Sequence, residues 1–212
     1  MNRLLFVCGS PRNASTEHAL MEAIKGAETV ADTVVEILRL KGIRVAPCIG
    51  CGACVKKGQV ACALYNDDMA QWNECFFQYD GYLIASPVYE MGITPQLSAF
   101  FSRFRGEYLN LKKDPLIRMY QPGAAMAVGG TRNGGQESII QSIQGFYHTM
   151  GMPVVNGGLG IYGGVSVWSR DRMAAGAAED EQAMSNARFL GRKLVLTTVA
   201  LRSARNNEGT GQ

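Results

Sequence analysis

Cys48, Cys51 and Cys54 recur at every third position in CIGCGAC, and Cys62 follows eight positions after Cys54. Thiolates are soft ligands, and four of them in a tetrahedral set hold zinc or an iron-sulfur cluster. Zinc sites usually join two CxxC knuckles across about 15–20 residues, whereas CxxCxxC offers ligands to three corners of one cubane. In two-cluster ferredoxins the fourth cysteine follows within about four residues, stands before a proline and serves the other cluster. Here Cys62 stands before Ala63, and the intervening VKKGQVA contains Gly58 as a bend that lets the chain return to the same site. The spacing points to a four-iron four-sulfur (4Fe-4S) cluster, with structural zinc and an unmetallated redox-thiol site as alternatives. Lys56 and Lys57 read as a solvated face that also suits an acidic electron donor. Cys8 beside an apolar run and Cys75 within a helical pattern read as small core residues.

Three further segments carry chemistry. GSPRNAST, residues 9–16, offers the hydroxyls of Ser10, Ser15 and Thr16, the fork of Arg12 and backbone amides opening a helix. Unpaired amides and the helix dipole favour an anion there, so the segment suits a phosphate as well as serving as an ordinary strand-to-helix turn. It has neither GxGxxG nor the GKS or GKT of a P-loop, so a dinucleotide or triphosphate site is not indicated. SPVYEMG, residues 86–92, stops a strand at Pro87 and presents Tyr89, Glu90 and Met91. GGTRNGGQE, residues 129–137, has four glycines that permit close backbone approach, with Arg132 and Asn133 as donors.

Stepping along the chain, Leu4–Val7 reads as a strand, Ala14–Ala27 as a helix capped by Ser15 or Thr16, and Thr33–Leu38 as a second strand. Asp67 and Asp68 look like the cap of a helix running to about Gln78, followed by a strand over Tyr82–Ala85. Thr94–Phe104 places Leu97, Phe100, Phe101 and Phe104 on one helical face; this is a core face or, alternatively, a packing surface between subunits. Ala124–Val128 is a fourth strand, Gln136–Met150 a helix, Val154–Val155 with its flanks a fifth strand, and Glu179–Leu201 a final helix. Alternation of strands and helices argues for an α/β fold with a parallel sheet covered on both faces. A flavodoxin-like, doubly wound five-stranded sheet of order 2-1-3-4-5 is expected, with its ligand crevice at the carboxyl ends of strands 1 and 3. On that order all three segments share one rim, with a phosphate end and a flat, amide-lined end that match flavin mononucleotide (FMN). The cysteine loop, residues 47–66, leaves after strand 2 on the same side.

Composition narrows the function. At 212 residues, 47% of them hydrophobic, the chain suits a single domain, expected over 1–203 with a frayed, flexible tail at 204–212. A net charge of +3 without dense basic runs argues against a nucleic-acid surface. No apolar run approaches the roughly 18 residues of a membrane span, and the amino terminus lacks a signal-peptide pattern, so a cytoplasmic protein with reduced thiols is expected. With only His18 and His148 and no GxSxG, hydrolysis is a poor fit.

GSPR after strand 1, SPVYEMG after strand 3 and NGGQE after strand 4 resemble the NADPH-dependent FMN reductase family over roughly residues 1–160. CIGCGAC with Cys62 is similar to the iron-sulfur flavoprotein branch of that family. The resemblance implies that Ser10, Arg12, Ser15 and Thr16 hold the FMN phosphate, although the branch often carries Asn-Thr where Ser15-Thr16 stands here. It implies that Pro87, Val88, Tyr89, Glu90, Met91 and Gly92 line the isoalloxazine ring; Gly130, Thr131 and Asn133 join them as further candidates. Cys48, Cys51, Cys54 and Cys62 would be the metal ligands. The expected function is an oxidoreductase passing electrons between a ferredoxin-like one-electron donor, or NAD(P)H as a transient donor, and a small acceptor such as oxygen, peroxide or a quinone. A homodimer or homotetramer with cluster-to-flavin transfer between subunits is implied. The alternatives are an NAD(P)H-dependent FMN or quinone reductase with structural zinc, and a non-enzymatic redox sensor.

Overall fold

The computed structural model describes residues 1–209. In chain order its elements are β1 (Asn2–Cys8), α1 (Ser15–Ala27), β2 (Thr33–Arg39), the single turn α2 (Ala53–Lys56), α3 (Met69–Cys75), β3 (Gly81–Pro87), α4 (Pro95–Ser102) and α5 (Tyr108–Lys113). Then follow β4 (Gly123–Gly129), α6 (Gln136–Thr149), β5 (Val165–Trp168), α7 (Met173–Ala178) and α8 (Glu181–Gly209). All five strands are parallel in the order β2-β1-β3-β4-β5, the flavodoxin-like arrangement expected from the sequence.

The central strands are apolar on both faces because both faces are covered. Leu4, Phe6, Leu83, Ala85, Met126 and Val128 pack towards α1, α7 and α8, while Leu5, Val7, Tyr82, Ile84, Ala125 and Ala127 pack towards α3, α4 and α6. On the first face α1 and α8 meet backbone to backbone. A Cβ on Gly26 would stand 1.8 Å from the Arg188 carbonyl oxygen, and one on Gly191 would stand 1.9 Å from that of Ala23. On the second face Phe76 sits at the centre of an aromatic cluster with Tyr82, Phe100 and Phe104.

The structure corrects several expectations. The fifth strand is Val165–Trp168, not Val154–Val155; Val154 makes only one bridge, to Gly123. Glycines at positions 158, 160 and 164 take positive φ, so the chain turns away after Val155 and rejoins the sheet at VSVW. The helix expected to reach Phe104 ends at Ser102 and tightens into a 3₁₀ turn, Arg103–Glu107. Leu97, Phe100 and Phe104 are fully buried and Phe101 stacks on Phe146 at 4.2 Å, so this face belongs to the core and is not a subunit surface. The final helix continues through Gly209 where a flexible tail was expected from residue 204; the remaining tail residues lie outside those described.

Candidate functional site at the sheet rim and the cysteine loop

Parallel strands deliver the loops after β1, β3 and β4 to one rim; one side chain ties the first two together and another braces the third. Thr94 caps α4, its Oγ1 accepting from the Leu97 amide at 3.2 Å, and the same hydroxyl donates to the Gly9 carbonyl at 2.6 Å. Gln136 braces the β4 loop: its Nε2 donates to the Thr131 carbonyl at 2.7 Å and its Oε1 accepts from the Gly134 amide at 2.8 Å. Neither residue was singled out from the sequence, because a threonine before a proline and a glutamine opening a helix look like ordinary caps.

The first loop is built around an open helix end. The N-cap of α1 is Ala14, not Ser15 or Thr16, and no side chain caps it. Its first-turn amides are thus available to a ligand, and the helix dipole adds positive potential. Ser10 is 4% exposed and its Oγ accepts from the Arg12 amide at 3.1 Å; Thr16 is buried, Ser15 half-buried and the Arg12 side chain exposed.

In the second loop Tyr89 and Gly92 exchange backbone hydrogen bonds of 2.9 and 2.8 Å around Glu90 and Met91. Both central residues have positive φ, 47° and 63°, the pattern of a type I′ turn, which glycine or asparagine normally fills. Two consecutive non-glycine residues in the left-handed region store strain of the kind that gathers at ligand sites. Pro87, Val88 and Gly92 are half-buried beneath this turn, whereas Tyr89, Glu90 and Met91 are exposed on it. Met91 also packs on the β4 loop, where a Cβ on Gly135 would lie 2.6 Å from its sulfur.

Gly130, Thr131 and Asn133 occupy the third loop, with Thr131 and Asn133 exposed. The Trp168 Nε1 donates to the Gly130 carbonyl at 2.9 Å, and the guanidinium groups of Arg132 and Arg170 lie over the Trp168 ring at 4.5 and 4.1 Å. Trp168 escaped the sequence reading because the strand that carries it was assigned elsewhere.

The cysteine loop wraps over α4 and the following 3₁₀ turn. Its ends are joined: the Arg44 amide donates to Asp68 Oδ2 at 2.8 Å and the Asp68 amide to the Arg44 carbonyl at 3.1 Å. Beneath it Arg103, 3% exposed, forms a fork with Asp67 at 2.6 and 3.0 Å and donates to the Ala46 carbonyl at 2.8 Å. The Ser102 hydroxyl accepts from the Cys48 amide at 3.1 Å, and a Cβ on Gly106 would stand 2.0 Å from the Val60 carbonyl oxygen.

Cys48, Cys54 and Cys62 are half-buried, Cys51 is exposed, and all four are free thiols. Among the described residues no three His, Cys, Asp or Glu side chains converge closely enough to hold a metal ion. The donor chemistry nevertheless suits a soft metal. The Cys48 sulfur accepts from the Gly50 amide at 3.4 Å. Burial pushes the Cys62 thiol up, but amide hydrogen bonds from Tyr65 and Leu64, with the charge of Arg103, outweigh it and bring it below its ordinary value. Cys8 and Cys75, both pushed up chiefly by burial, are the inert pair.

Comparison with known proteins places the chain. Residues 2–166 match the NADPH-dependent FMN reductase family. An iron-sulfur flavoprotein of Methanocaldococcus jannaschii is 35% identical over 184 residues, covering 84% of this chain and 87% of that protein. One from Archaeoglobus fulgidus is 36% identical over 188 residues, covering 86% and 90%. Among solved structures, RosB with a bound formylriboflavin phosphate intermediate superposes with a TM-score of 0.71 at 13% identity, covering 96% of this chain and 81% of that one. A flavone reductase superposes at 0.67 with 17% identity, and this chain spans 64% of its length. The rim, the cysteine loop and these likenesses agree: the chain belongs to the NADPH-dependent FMN reductase family of flavin-dependent oxidoreductases, in its iron-sulfur flavoprotein branch.

Proposed function

We propose that this protein holds FMN at the rim and a 4Fe-4S cluster on Cys48, Cys51, Cys54 and Cys62, and passes electrons from a ferredoxin-like donor to a small acceptor. The observation that carries the flavin assignment is the uncapped start of α1 beside the strained Tyr89–Gly92 turn. The amides of the first turn, with Ser10, Arg12, Ser15 and Thr16, receive the phosphate. Pro87, Val88, Tyr89, Glu90, Met91 and Gly92 form the platform for the ring, and Gly130, Thr131 and Asn133 close its edge. Support for the cluster comes from amide donors already directed at Cys48 and Cys62 and from the names of the relatives.

When bound, the cluster would supply one-electron chemistry and the flavin one- or two-electron chemistry. The chain's residues position and tune. Arg103 lies near both Cys48 and Cys62 and offsets negative charge there. Thr94 and α4 couple the cysteine loop to the phosphate loop mechanically, since Thr94 at the start of α4 bonds Gly9 and Ser102 at its end accepts from the Cys48 amide. No acid or base is required. Oxygen, peroxide or a quinone-like molecule is the acceptor, NAD(P)H is a secondary donor, and transfer between subunits of a dimer or tetramer in the cytoplasm is part of the proposal.

Anaerobically purified protein, assayed for iron, sulfide, zinc and flavin on one sample, tests it. About four irons and four sulfides per chain are expected, with one FMN. Zinc at one per chain would instead favour a hydride-accepting flavin reductase with a structural metal. In that case Cys51→Ala would leave NAD(P)H turnover intact, whereas the cluster assignment requires it to abolish ferredoxin-linked transfer.

A further inference from the structure

The positive charge of the chain is unevenly placed. Residues 44–68, the closed cysteine loop, and residues 95–122, the segment beneath and beside it, together hold eight lysines and arginines against four aspartates and glutamates; the rest of the chain holds thirteen against fourteen. Three of the eight are matched: Arg44 faces Asp68 at 3.9 Å, Arg103 pairs with Asp67, and Arg118 pairs with Glu107. The other five, Lys56, Lys57, Arg105, Lys112 and Lys113, are exposed and have no ion-pair partner among the described residues. One carboxylate is left beside them, Asp114, which accepts from the Leu116 amide at 2.9 Å. Glu74, in a neighbouring cavity wall, stands with Arg205 and adds no net charge. Exposed apolar groups share this face: Ile49 at 64%, Leu64 at 53% and Tyr108 at 50%. Tyr108 also lines a cavity of about 250 Å³ with Phe101, Phe104, Leu111 and Met150, and Ser102 and Arg105 belong to the same wall. These pieces are held together. The Cys48 amide donates to Ser102 at 3.1 Å, α2 packs on the 3₁₀ turn that carries Arg105, and the Arg103 guanidinium lies over the Tyr65 ring, next to Leu64, at 5.1 Å.

We infer that this face docks a small acidic electron-carrier protein, whose carboxylates meet the unmatched cations while its apolar contact covers Ile49, Leu64 and Tyr108. The inference rests on the proposed redox function and names the surface at which the donor arrives. An apolar patch beside unpaired charge suits a weak redox encounter, in which charge steers the approach and the buried area stays small. A second copy of the chain meeting this face with its own would set like charges together, so a partner of opposite charge fits it better. Cys51, the exposed member of the four, belongs to the same loop. Because α4 runs from Thr94 at the flavin rim to Ser102 here, a carrier bound at this end leaves the rim open to the acceptor.

The test is isothermal titration of the anaerobic holoprotein with a purified two-cluster bacterial ferredoxin of net negative charge. Saturable binding is expected at low ionic strength, weakened about tenfold or more at about 0.3 M salt by screening of the exposed charges. Lys56→Gln with Lys57→Gln, and separately Arg105→Gln with Lys112→Gln, should each weaken binding about fivefold while iron and flavin content stay unchanged. Lys193→Gln, on α8 across the sheet, should bind as the wild type does. The Arg105 and Lys112 pair stands clear of the cysteines in sequence, so it decides even if the first double variant loses iron. No saturable binding at low salt, or wild-type affinity in both double variants, overturns the surface. So does sedimentation showing that either double variant breaks an oligomer, since a second copy then covers the face. Ferredoxin-linked reduction that continues at the wild-type rate in both double variants overturns the docking surface and leaves the redox function standing, whereas missing iron and sulfide overturn that function itself.

Discussion

Replacing Asp67 with asparagine should destabilise the fold by about 3 kcal/mol. Arg103 has 1% of its side chain exposed and loses an ionised partner to which it makes two hydrogen bonds. Stranding one member of a buried pair costs about 3–5 kcal/mol, and the lower end applies because Asp67 itself is 14% exposed. For a chain of this length each kcal/mol shifts Tm by roughly 2–4 °C, so a fall of about 6–12 °C is expected. Thermal unfolding followed by circular dichroism measures it, with iron counted on the same preparation. The variant should keep flavin and lose iron, since the pair lies under the cysteine loop. Arg103→Met with Asp67→Leu should recover most of the loss, because an apolar pair leaves no charge stranded. The pH dependence has a definite sign. Burial opposes ionisation of Asp67, but Arg103 and the amides of Ala46 and Met69 outweigh it and hold the carboxyl below its ordinary 3.8. A depressed folded value gives stability that is full above 3.8 and fades as pH falls through the lower, folded value, so the gap between wild type and Asp67→Asn should close only in that acid range. A Tm change under about 2 °C, or a double variant no better than the single one, would refute the account.

Gly106→Ala sets a methyl against the Val60 carbonyl and should displace the cysteine loop, halving bound iron or worse while FMN fluorescence after release is unchanged. Thr94→Val removes both the α4 cap and the bond to Gly9; a loss of about 1–2 kcal/mol in denaturant unfolding is expected, together with weaker FMN retention on dialysis. Met91→Gly relieves a left-handed position and should stabilise the flavin-free protein by roughly 1 kcal/mol, while FMN titration shows weaker binding through loss of the Met91 contact with Gly135.

The sheet order was legible because β1, β3 and β4 are continuous apolar runs, and strands buried on both faces write themselves that way. β5 was not, since four residues alternating half-buried and buried carry too little pattern, and the valines at 154 and 155 imitated it. The rim loops were legible from their glycines, prolines and hydroxyls. Their supports were hidden: Thr94 and Trp168 act across 85 and 38 positions, distances that local spacing does not encode, and Gln136 looked like an ordinary helix opener. The cap of α1 was misread for a related reason. Ser15 and Thr16 look like caps, yet the helix starts one residue earlier and leaves its amides open. Asp67 looked like a cap too, and its carboxylate serves Arg103, a residue whose partner cannot be named from sequence.

The bonds exchanged by Arg44 and Asp68 make the sulfur-bearing stretch begin and finish at one point of the scaffold. To the sheet beneath, everything between those residues is an appendage on a closed ring. Its length and cysteine spacing are free to drift without shifting a strand, because the closure penalty rises only slowly with loop size. A flavin scaffold of this kind can carry a cysteine-bearing insertion without rebuilding the sheet beneath it.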